Sequence, residues 1–185
     1  MIKHPDQRVA VFVDAQNMYH SARNLYEARV NFKELLKAAV AGRKLTRAIA
    51  YVIQSPNREE AAFFSALDKQ GFEVKSKELQ VFFSGAKKGD WDVGMAVDAV
   101  KLADKVDSII LVTGDGDFAP LVTYLQENKG CLVEAVAFKR TASRQLVEAA
   151  DDFLNLEDDV RRFLIKSTLA RVFRPSDKPE TKKET

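Results

Sequence analysis

Short, continuously apolar runs rich in β-branched residues alternate with stretches of helical period along this chain, and that alternation narrows the fold more than any other feature. VAVFVD (9–14) precedes MYHSARNLYEARV (18–30) and FKELLKAAV (32–40), and RAIAYVI (47–53) precedes a helical stretch over 57–69. A strand is expected around FEVKSKELQVFF (72–83), a helix over 92–103, the strand SIILVTG (108–114), a helix over 118–128 and the strand CLVEAVAF (131–138). Runs apolar on both faces suit strands buried from both sides, and helices between them supply the cover. The expectation is an α/β three-layer sandwich with a mostly parallel central sheet. A short helix, SRQLVEAA (143–150), an edge segment, DFLNL (152–156), and a closing helix over 157–172 complete one domain, residues 1–172. RPSDKPETKKET then carries prolines and charges but almost no apolar residues, so 173–185 is expected to be a disordered tail.

A length of 185 residues with 46% hydrophobic content supports one full core. No apolar run approaches the roughly 18 residues of a membrane span, and the amino-terminal segment reaches an aspartate too early for a secretory signal, so a cytoplasmic protein is expected. The single cysteine, Cys131, rules out disulfide frameworks and cysteine-rich zinc sites by count. The two histidines, His4 and His20, offer neither a zinc set nor an acid–base pair. Net charge is +2, and the segment from Arg171 holds Arg171, Arg174, Lys178, Lys182 and Lys183 against Asp177, Glu180 and Glu184. The whole excess therefore lies there. With a neutral body, nucleic-acid binding has to be argued from local groups rather than from overall charge.

The acids fall at informative places. The first strand ends in Asp14, with Asn17 beside it, and the strand IILVTG runs into Asp115 and Asp117. Each stands at a carboxyl edge just before a helix, the side on which open α/β sheets bind ligands. Aspartate there also caps helices. On a helix opening near Asp92, the 100° rotation per residue places Met95, Ala96, Ala99 and Ala103 on the side of Asp92, which heads the buried stripe and points toward the sheet edge. Asp98 falls on the opposite side, as a solvent partner of Lys101 or as a support behind the site, and Asp90 belongs to the turn KKGD. Clustered carboxylates need a compensating cation, and an all-oxygen set favours magnesium or manganese over zinc. A divalent ion so held clamps phosphate oxygens and activates water for in-line attack.

VFVDAQNMY, KKGDWDVGMAVDAV and IILVTGDGDFAPLVTYL together resemble the signature blocks of the NYN domain family in its LabA-like branch, a relative of PIN-domain nucleases. The resemblance spans roughly residues 8–155 and departs slightly at Thr113, where serine is commoner. It implies a PIN-like fold and a magnesium- or manganese-dependent ribonuclease. Carried over by position, Asp14, Asp92, Asp115 and Asp117 become the metal-site acids, and Asn17 orients water or phosphate. Cleavage of that kind leaves a 5′-phosphate and a 3′-hydroxyl.

RNA phosphates would meet Lys87 and Lys88 before the Asp92 helix and Lys139, Arg140 and Arg144 after the last core strand, and Trp91 and Phe83 offer base-stacking rings, Trp91 equally a core plug. Val160, Phe163, Leu164 and Leu169 could pack on the body or on a second copy in a homodimer. Two other readings stand beside the ribonuclease. A haloacid-dehalogenase-type phosphatase would need a second acid two residues after Asp14, where this chain has Gln16. A non-catalytic metal- and RNA-binding regulatory module is compatible with the same acids. A Rossmann dinucleotide site lacks its G-x-G-x-x-G.

Overall fold

The computed structural model describes residues 3–54, 58–78, 80–81, 87–88 and 90–166. In chain order the elements are β1 (Arg8–Asp14), α1 (Ala15–Tyr26), β2 (Ala28–Val30), α2 (Phe32–Val40), β3 (Lys44–Gln54), α3 (Arg58–Lys69), β4 (Glu73–Glu78), β5 (Gln80–Val81) and β6 (Lys87–Lys88). They continue with α4 (Asp92–Ala103), β7 (Ser108–Val112), a 3-10 turn at Gly116–Phe118, α5 (Ala119–Lys129), β8 (Leu132–Ala137) and α6 (Arg144–Ala149). Then come β9 (Asp152–Asn155), a second 3-10 turn at Leu156–Asp159, α7 (Val160–Phe163) and β10 (Leu164–Lys166).

Six strands form the central sheet in the order β4-β3-β1-β7-β8-β9. Every neighbouring pair in it is parallel. Successive residues of a strand face opposite sides, and β1 shows how the two helical layers divide the core. Val9, Val11 and Val13 pack with Met18, Leu35 and Leu67 from α1, α2 and α3. Ala10 and Phe12 pack with Met95, Val122 and Leu146 from α4, α5 and α6. This is the expected three-layer α/β sandwich. Among the described residues, no helix is long and apolar enough to cross a membrane.

Three expected elements differ. The helix drawn over 18–30 ends at Tyr26, because Glu27 takes the left-handed conformation (φ 50°) and donates its N–H back to Ala22 and Arg23. Ala28–Val30 then alternates buried, exposed, buried as β2, paired antiparallel with β10. The closing helix over 157–172 is likewise absent from its described part, where a 3-10 turn, one turn of α7 and β10 follow in succession. Phe163 is buried and Leu164 packs on the core, so both residues face the body. The strand drawn over 72–83 stops at Glu78, and Gln80–Val81 belongs to a separate two-stranded antiparallel sheet with Lys87–Lys88. Phe83, Leu169 and the tail 173–185 lie outside the described residues.

Candidate functional site

The strand order fixes where a ligand site can form. From central β1 the chain winds outward through β3 to β4, then returns to β7 on the other side of β1 and winds out to β9. The crevice beyond the carboxyl ends of β1 and β7 is therefore the switch point of the sheet. Asp14 ends β1, Asp115 follows β7 by three residues, Asp117 lies in the 3-10 turn that continues it, and Asp92 opens α4.

Capping and site-building turn out to be the same act. The Asp14 carboxylate accepts the Asn17 N–H at 2.9 Å and starts α1. The Asp115 carboxylate accepts the Asp117 N–H at 3.0 Å and starts the 3-10 turn. Each cap engages a single oxygen in these bonds, and the acids still converge. Oxygens of Asp92, Asp115 and Asp117 lie within 4.8 Å of one another. Beside them opens a cleft of about 200 Å³ whose lining includes Asp14, Gln16, Asn17, Trp91, Asp92 and Asp115.

The cluster bears its own repulsion. Burial pushes the Asp14 carboxyl above the ordinary aspartate range, the fields of Asp92 and Asp115 add to that, and the Asn17 N–H works against it. Asp92 is also raised, first by burial and then by Asp90, Asp115 and Asp117, while Lys77 opposes the shift.

The loop carrying Asp115 is clamped from three sides. Asn17 accepts the Gly114 N–H at 3.0 Å through its side-chain oxygen, tying α1 to the end of β7. Buried Thr113 accepts the Asp115 N–H at 3.2 Å through its hydroxyl. Ser143, ahead of α6, donates its N–H to the Gly114 carbonyl at 2.8 Å. A Cβ at Gly114 would meet the Thr141 carbonyl oxygen at 2.9 Å, and one at Gly116 would meet the Ser143 hydroxyl at 2.5 Å. The two glycines of TGDGDF thus let the β8–α6 loop sit directly on the acid-bearing turn.

Around this centre the structure redistributes several expected roles. Asp98 is not a solvent partner of Lys101: it accepts the Lys75 ammonium at 2.6 Å and the Tyr51 hydroxyl at 2.7 Å. Burial works to raise its carboxyl, yet these two donors hold it below the ordinary range. The Tyr51 phenol is pushed up, by burial first and by Asp98 next. Trp91 is half-buried against Tyr51 with ring centroids 5.3 Å apart, and its indole N–H donates to the Val52 carbonyl at 2.8 Å. It is an anchored wall of the cleft. Gly94 makes room for that ring, since a Cβ there would come within 2.7 Å of it.

The expected RNA contacts fall unevenly. Arg140 pairs with Glu157 at 2.8 Å and lies over the Tyr26 ring, at the far end of α1 from Asp14. Arg144 pairs with Glu148, and Lys139 is exposed. Lys87 and Lys88 form β6, with side chains outside the described residues. The sequence reading missed Lys77, which stands on β4 with its ammonium 4.8 Å above the Trp91 ring. Period-two alternation from Glu73 through Lys75 was the available signal, because it puts Lys77 on the α4 side of the sheet.

A family model for the NYN domain matches residues 8–157. The chain is similar to the low amplitude and bright protein LabA of Synechococcus elongatus, at 24% identity over 175 residues covering 86% of this chain and 89% of that protein. It is also similar to a crystal structure of a protein of unknown function from Vibrio parahaemolyticus, with a TM-score of 0.80 and 34% identity over 89% of this chain and 100% of that one.

Proposed function

Since the chain belongs to the NYN domain family, we propose that it is a metal-dependent ribonuclease whose acidic centre hydrolyses phosphodiester bonds of RNA. The observation that carries this reading is the convergence of Asp92, Asp115 and Asp117 oxygens within 4.8 Å at the switch point of a parallel sheet, with Asp14 alongside in the cleft. The donors fit a hard divalent ion: all are carboxylate oxygens, and the pKa values of Asp14 and Asp92 are raised by burial and by their acidic neighbours, which a cation would offset. Asp14, Asp92, Asp115 and Asp117 would hold magnesium or manganese. Such an ion, when bound, neutralises phosphate charge and lowers the pKa of a water molecule.

The chain's own residues do the rest. The Asn17–Gly114 bond fixes the spacing between the Asp14 and Asp115 carboxylates, so the charges are brought together by folding and not by the substrate. Trp91 and Tyr51, packed against each other, form an apolar part of the cleft wall. Among the described residues no histidine lines the cleft, and His20 rests edge-on against Tyr19 at 5.4 Å. A mechanism using the RNA 2′-hydroxyl would want such a proton acceptor and donor. Attack from outside the chain is favoured instead, leaving a 5′-phosphate and a 3′-hydroxyl. The test is incubation of a defined oligoribonucleotide with manganese or with excess EDTA, alongside Asp14→Asn, and analysis of the ends by mass spectrometry. Metal-dependent cuts with 5′-phosphate ends, reduced about 100-fold or more in Asp14→Asn, are expected. Full activity in EDTA, or 2′,3′-cyclic ends, would overturn the proposal.

A further inference from the structure

Lys77 is a cation placed beside a negative centre without being neutralised by it. Among the described residues it has no carboxylate within ion-pair distance, whereas Lys75, two residues earlier on the same face of β4, is paired with Asp98. Its neighbour is instead the Trp91 ring face at 4.8 Å. That ring is itself fixed, by the bond to Val52, by Tyr51 and by the space left at Gly94. A ring face attracts an ammonium without consuming its hydrogen-bond donors, so the long side chain is held in place with donors to spare. Trp91 lines the cleft and immediately precedes Asp92, whose carboxyl feels the Lys77 charge.

We propose that Lys77 is a substrate-binding residue that engages the RNA phosphate presented to the acidic centre, with Trp91 as its perch. The inference rests on the ribonuclease reading above and adds a residue to it. A polyanion approaching four carboxylates is repelled until cations offset them, and a lysine held over the Trp91 ring, itself part of the cleft lining, supplies one fixed positive charge from the protein side.

The same placement makes an unusual demand: Lys77 opposes a metal ion at the acids while it attracts RNA. Removing its charge must shift the two affinities in opposite directions. The experiment uses the full chain, with Lys77→Met keeping most of the aliphatic stem on Trp91, Lys77→Arg restoring charge, and Lys44→Met as a remote control. Manganese binding is measured by titration calorimetry without RNA, and binding of a single-stranded oligoribonucleotide by anisotropy in manganese, read as the initial amplitude on rapid mixing, before cleavage. Lys77→Met is expected to bind manganese roughly two- to fivefold more tightly. It should bind the oligonucleotide roughly three- to tenfold more weakly, with a salt slope smaller by about 0.7. Lys77→Arg should recover most of the oligonucleotide affinity, and Lys44→Met should match wild type in manganese affinity. Unchanged oligonucleotide binding in Lys77→Met, or a loss of manganese affinity along with it, would overturn the inference while leaving the ribonuclease reading intact. Failure of the wild type to bind the oligonucleotide in manganese would instead overturn that reading, and this inference with it.

Discussion

Two half-hidden acidic sites sit at opposite ends of the same sheet and are treated in opposite ways. Toward the amino end, Glu134 on β8 is buried, with Arg43, Lys3 and Ser108 all directed at its carboxylate. Arg43 also donates to the Ala39 and Val40 carbonyls and so closes the carboxyl end of α2. Burial works to raise the Glu134 carboxyl, but its donors outweigh burial and hold it below the ordinary glutamate range. At the carboxyl edge Asp14 and Asp92 are raised, and much of what surrounds them is more acid. A buried charge with a full set of partners is part of the architecture. A group of charges left short of them marks where the fold expects something from outside.

The comparison is broken most forcefully at the amino end. Arg43→Met strands the buried Glu134 charge and exposes the end of α2, and should cost about 3–5 kcal/mol in urea unfolding. Adding Glu134→Gln to it should recover part of the loss. A loss below about 1 kcal/mol would mean that Lys3 and Ser108 suffice, and that this end is less tightly balanced than its contacts imply.

Acid should separate the two ends by sign. A carboxyl whose folded pKa is raised opposes folding when ionised, so acidification through that raised value strengthens the fold. Glu134 does the reverse: its contribution is present above the ordinary glutamate range and disappears as pH falls through its lowered value. In EDTA, the melting temperature should therefore gain from the Asp14 and Asp92 side as pH drops from neutrality toward the ordinary carboxylate range, then fall as Glu134 takes up its proton. Manganese at neutral pH should replace the gain from acid. If the melting temperature fell steadily from neutrality and the curve for Asp14→Asn ran parallel to it, the repulsion at the carboxyl edge would be too weak to matter.

The smallest effect sharpens the contrast. Asparagine caps helices about as well as aspartate, so Asp14→Asn keeps the bond to the Asn17 N–H and deletes only charge. Without metal the variant should be more stable than wild type by about 0.5–1 kcal/mol, read by thermal or urea unfolding in EDTA. Destabilisation would show that the Asp14 charge is serving the fold.

The features legible in the sequence were those with a local signature. Strands buried on both faces announced themselves as apolar runs, and the four acids stood out because each ends a strand or opens a helix. What escaped was set by partners distant along the chain. Asp98 looked solvent-facing on the helical wheel, yet its partners arrive from strands 23 and 47 residues away. Ala28–Val30 continued a helical period, and only pairing with Leu164–Lys166 made it a strand. Lys77 read as one more charged residue of a strand until the register with β3, which sets it beside Ile53, placed it over Trp91.

The double duty of Asp14 and Asp115, each a helix-starting cap and a member of the acidic centre, has a consequence for how such a chain can change. Exchange of one carboxylate oxygen for an amide nitrogen preserves the bond that begins α1 or the 3-10 turn and removes the charge proposed to hold the metal. Folding and the proposed turnover are thereby uncoupled at these two positions by a single-nucleotide change in an aspartate codon. A lineage can lose chemistry here without losing its scaffold, and can regain it by the reverse step. The cleft, its anchored tryptophan and the clamped glycine turn would survive that exchange as a folded receptor, ready either to cut or merely to hold.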